Sequence, residues 1–168
     1  MKKLLTAFIV ILAFNLSQAQ IANHAIGLRL GGGNGFGTEM SYQHGLDDLN
    51  RLEFDLGIQS PPDANAWGLT GLYQWVWKID NGFNWFAGAG GRIGSWSYNN
   101  SYAGDRHGGI FLGAAGDVGI EYVFPIGIQL SLDARPAFNI INSGDPYNSN
   151  FAISIRYQFL KKINPICI

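Results

Sequence analysis

The strongest constraint on this chain is a period of two in hydropathy that recurs eight times between residues 25 and 159, with turn-forming clusters between recurrences. The third run alternates Leu52, Phe54, Leu56 and Ile58 with Arg51, Glu53, Asp55 and Gln59. The seventh sets Ile128, Leu130 and Leu132 against Gln129, Ser131, Asp133 and Arg135, and the eighth sets Phe151, Ile153, Ile155, Tyr157 and Phe159 against Ser154, Arg156 and Gln158. The first two runs are shorter, with Ile26, Leu28 and Leu30 opposite Arg29, then Thr38, Met40 and Tyr42 opposite Glu39. The sixth, from Ile110 to Phe124, carries Asp117 and Glu121 on its polar side. Two runs are impure. In the fourth, Trp67, Leu69, Tyr73, Trp75 and Trp77 share a face while Leu72 and Val76 fall among the polar residues; in the fifth, Trp85, Ala87, Ala89 and Ile93 oppose Arg92 and several glycines, with Phe86 as the exception. Nothing between the runs has helical periodicity long enough to form a second layer, so the sheet must close on itself or leave its edges bare. The expected fold is all-β, an eight-stranded antiparallel up-and-down barrel.

The 23 glycines and 14% aromatic residues suit tightly turned β structure rather than a helical bundle. Lys2 and Lys3 precede an apolar stretch from Leu4 to Leu16, and Ser17-Gln18-Ala19 supplies a small-x-small cleavage pattern, so residues 1–19 read as an export signal. That stretch falls short of the roughly twenty residues a membrane-spanning helix needs, and no later segment approaches it. No cysteine follows it to carry a lipid anchor. The barrel domain is expected over residues 20–168, with its strands within 25–159 and a short tail at 160–168. Without Lys2 and Lys3, 9 of the 11 basic residues face 12 acidic ones, which leaves no basic surface for nucleic acid. Cys167 is the sole cysteine, so no internal disulfide forms.

Alternation alone does not decide which face is outside, since soluble and membrane barrels share it. Three features favour an apolar exterior. The polar face is rich in Gly, Ala and Ser and sparse in charge, as suits the narrow interior of eight strands. Aromatic residues gather near the ends of the apolar faces: Tyr42, Trp75, Trp77, Trp85, Tyr122, Phe124, Tyr157 and Phe159 toward one end, and Phe36, Trp67, Trp96, Phe138 and Phe151 toward the other, in the manner of two interfacial girdles. Short connections at His44–Asn50, Asp80–Gly82 and Phe124–Gly127 interleave with longer ones at Ser60–Asn65, Ser97–Gly108 and Asn139–Asn150, with the short Gly32–Gly35 connection as the exception. A basic residue at mid-membrane costs roughly 2–4 kcal/mol, so the charges belong inside. There Arg29, Arg51, Arg92, Arg135 and Arg156 are expected to pair with Glu39, Glu53, Asp55, Asp117, Glu121 and Asp133.

Several stretches together carry a resemblance: Gly27–Gly33 (Gly-Leu-Arg-Leu-Gly-Gly-Gly), Glu39–Gln43, Asn50–Gly57, Tyr73–Trp77 and Ile155–Phe159. Over residues 25–159 the sequence resembles the OmpA/OmpX-like small outer-membrane β-barrels, particularly the porin-like barrel proteins of Bacteroidota. The resemblance implies an outer-membrane location, contact with outer-membrane lipid, and recognition of the last strand by the barrel-insertion machinery, with Phe159 as the terminal aromatic. Residues 160–168 extend past that point, a departure from the family pattern.

Neither a catalytic centre nor a cofactor or metal site is expected. The glycines of 31–37 lack phosphate-loop spacing and join two strands rather than a strand and a helix. His24, His44 and His107 stand apart in sequence, none at metal-ligand spacing. Glu53 with Asp55, or Asp117 with Glu121, share a face and would suit acid–base work, but the arginines on that face oppose a neutral general acid. A lipid-modifying enzyme would need Ser and His on the apolar face near an interface, and the alternating runs place no His there. Trp96, Tyr98 and Tyr102, among amide-bearing residues, resemble a surface for extracellular protein or glycan. The leading expectation is an outer-membrane protein of structural or surface-interaction role with its lumen plugged by ion pairs; the alternatives are a soluble exported lipocalin-like barrel and an outer-membrane lipid-modifying enzyme.

Overall fold

The computed structural model describes residues 21–33, 36–60, 64–98, 108–141 and 147–159. Eight strands follow in chain order: β1 (His24–Gly33), β2 (Thr38–Gly45), β3 (Asn50–Gln59), β4 (Ala64–Asp80), β5 (Phe83–Tyr98), β6 (Gly109–Val123), β7 (Ile128–Ile141) and β8 (Tyr147–Phe159). Each pairs antiparallel with the next, and β1 pairs with β8 from His24 opposite Phe159 to Gly33 opposite Asn150, so the sheet closes as a barrel without crossover. The expected signal at 1–19, the tail at 160–168 with Cys167, and Tyr102 and His107 lie outside the described residues.

The period-two pattern fixes the facing of every strand. Met40, Ile58, Leu132, Phe151 and Ile153 are among the most exposed side chains, whereas Arg29, Arg51, Glu53 and Asp55 are only 0–2% exposed. The facing is the reverse of a soluble globular protein and of a barrel that shelters an apolar ligand, and it overturns the lipocalin-like alternative. The residues that broke the alternation face inward with the charges: Leu72, Val76 and Phe86 are buried in the lumen. Val76 and Phe86 pack with Ile21 near the turn end, and Leu72 packs with Ala115 and Ala137 higher up.

Strands run further toward the long-loop end than the alternation suggested. β4 begins at Ala64, β5 reaches Tyr98, β7 reaches Ile141 and β8 begins at Tyr147. The polar residues at these ends are paired in the ladder, Ala137 with Asn148 and Arg135 with Asn150, and Phe138 meets Tyr147 ring to ring at 5.1 Å. A register shift opposite Leu112 and Gly113 accommodates one extra residue in β7. At the other end, Asn81 and Gly82 adopt positive φ (37° and 93°), the two-residue turn that suits the twist of a tight hairpin.

Glycine lets neighbouring strands approach closely. A Cβ on Gly27 would collide with the Ile155 backbone of β8, and one on Gly90 with the Gly71 carbonyl of β4. Neighbouring backbone occupies the space a side chain would need.

Candidate functional site: the charged lumen

Arg135 of β7 crosses the lumen. Its Nη2 lies 2.8 Å from Glu53 Oε1 and its Nη1 2.8 Å from Asp55 Oδ2, both on β3, with Glu39 at 3.7 Å and Asp117 at 3.8 Å. Nη2 donates an aligned hydrogen bond to Glu53. The Asp55 contact is close but off-line, so charge rather than a directed N–H bond holds it.

Arg29 of β1 donates Nη1 to Glu39 Oε2 at 2.7 Å and grips Asp133 through Nε and Nη2. Glu39 is its cross-strand partner. Asp133 lies on β7, so this arginine reaches past the seam strand β8. Arg156 of β8 extends Nη2 to 3.2 Å from Glu53 Oε2, while its Nε and Nη1 donate to Ser41 and Ser131 hydroxyls at 2.8 and 2.9 Å. Toward the turn end, Arg51 donates Nε to Gln74 Oε1 at 2.7 Å, approaches Glu121 at 2.8 Å and lies over the Phe86 ring, 5.0 Å from its centroid. Such a placement adds a cation–π attraction to the ion pair.

Four amides that the sequence reading did not single out knit these pairs together. Gln43 donates to Glu53 at 2.6 Å, Gln74 to Asp117 at 2.6 Å, Gln129 to Glu121 at 2.5 Å and Gln158 to Gln129 at 3.0 Å. Asn84 adds a further bond to Glu121 at 3.1 Å. Their signal is their place on the polar side of each strand, and it is weak because they carry no charge. Of the two carboxylate pairs considered for acid–base chemistry, Glu53 and Asp55 share the Arg135 guanidinium, whereas Asp117 and Glu121 are held in different clasps, Asp117 by Gln74 and Glu121 by Arg51, Gln129 and Asn84.

Arg92 departs from the expected network. It makes no ion pair among the described residues and stacks instead on Phe111, its guanidinium carbon 4.7 Å from the ring centroid. Phe36 and Trp96, expected in the outward girdle, also turn inward. Phe36 fills the space left by Gly57 and Gly68, and both rings lie 6.3 Å from Phe111. Trp96 therefore lies partly buried at the long-loop mouth of the lumen. The reason is parity: Trp96 is an even step from Arg92 and Gly94, and β5 continues unbroken through it. Tyr98, at the end of β5, pairs with Ala64 and is half-buried.

The turn-end aromatics lie on the outer side. Trp77 stacks on Trp85 at 4.1 Å, Tyr122 meets Phe124 edge-on at 4.6 Å, Tyr157 meets Phe159 at 5.3 Å, and Trp75 meets Tyr73 at 5.0 Å. Tyr42 is joined by two histidines. β1 begins at His24 and β2 extends through His44, so both fall on the outward face, directly opposite each other. The expectation of isolated histidines, and of none on that face, is corrected here. Their outward neighbours across the ladders are Leu52 and Phe159, and no serine flanks them.

No protein-family model and no curated protein sequence matches this chain. Solved structures do. The N-terminal β-barrel domain of Pseudomonas aeruginosa OprF superposes with a TM-score of 0.61 at 13% identity, covering 81% of this chain and 98% of that one. Ail, the attachment invasion locus protein of Yersinia pestis, gives 0.53 at 10% identity, covering 81% and 96%. Neisserial surface protein A gives 0.52 at 11% identity, covering 81% and 94%. At these identities the likeness is one of fold: this chain is a closed eight-stranded antiparallel β-barrel, as they are.

Proposed function

We propose that this chain is an integral outer-membrane protein of the porin-like barrel group of Bacteroidota, with a structural or surface-interaction role, no enzymatic activity, and a lumen plugged by its own side chains. The observation that carries the reading is the inverted burial: aliphatic and aromatic side chains cover the outside while five arginines and six carboxylates turn inward. In water such an exterior would aggregate; in a bilayer it is the lipid-facing band. The three similar barrels are outer-membrane proteins, which supports the same location. Eight strands leave an interior just wide enough for side chains, and the clasps of Arg135, Arg29 and Arg51 occupy it, so little or no current is expected.

On this reading the chain is exported by its signal, its last strand is read by the insertion machinery at Phe159, and its long-loop end faces outward. Any partner there is an extracellular protein or glycan. One of the similar structures is Ail in complex with the heparin analogue sucrose octasulfate, so a polyanionic glycan is a reasonable first probe for the loops.

The test has two arms. Recovery in the outer-membrane fraction with heat-modifiable gel migration is expected, and a detergent-free soluble monomer would refute the membrane reading. In planar bilayers the purified barrel is expected to give no stable large conductance; steady pore currents would refute the plug.

A further inference from the structure

His24 and His44 are directly paired across β1 and β2, and their Nδ1 atoms are 3.3 Å apart. The ring centroids are 5.0 Å apart, further than the nitrogens, so the two Nδ1 edges lean toward each other. The Tyr42 hydroxyl lies 2.8 Å from the same His24 Nδ1. A single nitrogen thus meets both a hydroxyl and a second imidazole nitrogen, and one proton cannot lie along both lines.

We propose that His24 and His44 form a divalent transition-metal site, of the Zn²⁺ class, on the turn-side rim of the barrel. Two nitrogens each about 2.0–2.1 Å from a tetrahedral ion stand about 3.3–3.4 Å apart, the separation found here. Neutral imidazole suits Zn²⁺, Ni²⁺ and Cu²⁺. The ligands are held before any ion arrives: they sit in a continuous ladder, and Gly45 N donates to Asn23 O at 3.0 Å, tying the end of β2 to the residue before His24. Among the described residues no set of three His, Cys, Asp or Glu gathers, so water completes the coordination, and the ion takes the His24 Nδ1 lone pair from the Tyr42 hydroxyl, which is left beside the site to bond one such water. A site of two imidazoles and exchangeable water binds reversibly and clips β1 to β2.

The experiment is titration of the full chain, folded in detergent micelles and free of any polyhistidine tag, with ZnCl₂ followed by calorimetry, and with CoCl₂ followed by visible absorption. One ion per chain and a tetrahedral Co²⁺ spectrum are expected. His24→Gln and His44→Gln each weaken binding by about tenfold or more, and His107→Gln leaves it unchanged, with heat-modifiable migration reporting folding of every variant. If a variant misfolds, protection of the wild-type histidines from diethylpyrocarbonate by Zn²⁺ gives the same readout. Binding that survives the double variant, one ion per two chains, or no saturable binding would overturn the proposal. The site depends only on β1–β2 pairing, so none of these outcomes bears on the membrane reading.

Discussion

Arg135 on β7 and Glu53 on β3 meet at 2.8 Å although their strands lie on opposite sides of the barrel, four positions apart around the ring. One guanidinium therefore spans the lumen and braces two walls that share no backbone hydrogen bonds.

Removing that brace strands buried carboxylates. Arg135→Met is expected to destabilise the barrel by about 3–5 kcal/mol, because Glu53 and Asp55 lose a partner where water does not replace it. Adding Glu53→Gln and Asp55→Asn to the same chain is expected to recover part of the loss. Urea unfolding in lipid vesicles measures both, and an Arg135→Met barrel as stable as wild type would refute the bracing role.

Phe86 fills the turn end of the lumen beneath Arg51. Phe86→Ala is expected to cost about 3–5 kcal/mol as a buried large-to-small change. Phe86→Leu keeps most of the volume and loses the ring face, so its cation–π component should appear alone as about 0.5–2 kcal/mol. Unfolding midpoints of the two variants separate packing from charge, and a Phe86→Leu barrel as stable as wild type would deny the Arg51 contact any contribution.

Leu132 sits on the outward face of β7 between the aromatic residues of the two rims, 52% exposed, paired on either side with Ile120 and Ile153. Leu132→Arg is expected to lose about 2–4 kcal/mol in vesicles, the mid-membrane figure. The same substitution at Ile126, in the β6–β7 turn and 70% exposed, is expected to change stability by less than about 1 kcal/mol. Equal effects at the two sites would place no apolar medium around β7.

Gly27→Ala tests the closing seam, because its methyl group meets the Ile155 backbone. Overpacking of this kind costs about 1–3 kcal/mol. It should act on the β1–β8 pairing first, seen as faster amide exchange on β1 and β8 than on β4. Uniform exchange across the barrel would argue against a local seam defect.

Asp47, in the β2–β3 turn, accepts hydrogen bonds from the Asn50 side chain and from the Leu49 and Asn50 backbone amides, which hold its carboxyl below the ordinary value. A lowered carboxyl stabilises the turn above its unfolded value, and the contribution disappears as pH falls through the lowered one. NMR titration of the Asp47 carboxyl is expected to give a midpoint below 3.8. Asp47→Asn should abolish the acid-induced loosening of residues 46–49, and a midpoint at or above 3.8 would contradict the turn geometry.

The alternation of Leu52, Phe54 and Leu56 with Arg51, Glu53 and Asp55 was legible because each strand presents one face to each side of a single sheet. Even its apparent errors, Leu72, Val76 and Phe86, carried the right facing. What local pattern does not encode is who meets whom across the lumen. Arg135 finds Glu53 through the stagger of the closed sheet, 82 residues along the chain, while Arg92 lies nearer the mouth and finds Phe111. His24 and His44 stand 20 residues apart and become neighbours only through register. The strand ends at Asn148 and Asn150 looked like loop because turn-forming residues were read by type, whereas the ladder paired them by position.

Closure between His24 and Phe159 has a consequence for the chain's history. The first strand's free edge has no partner until the last strand is in place, so nothing short of all eight strands completes the ring. A sheet arranged this way leaves two edges bare until that last pairing forms, so it consolidates in one late, long-range event rather than strand by strand.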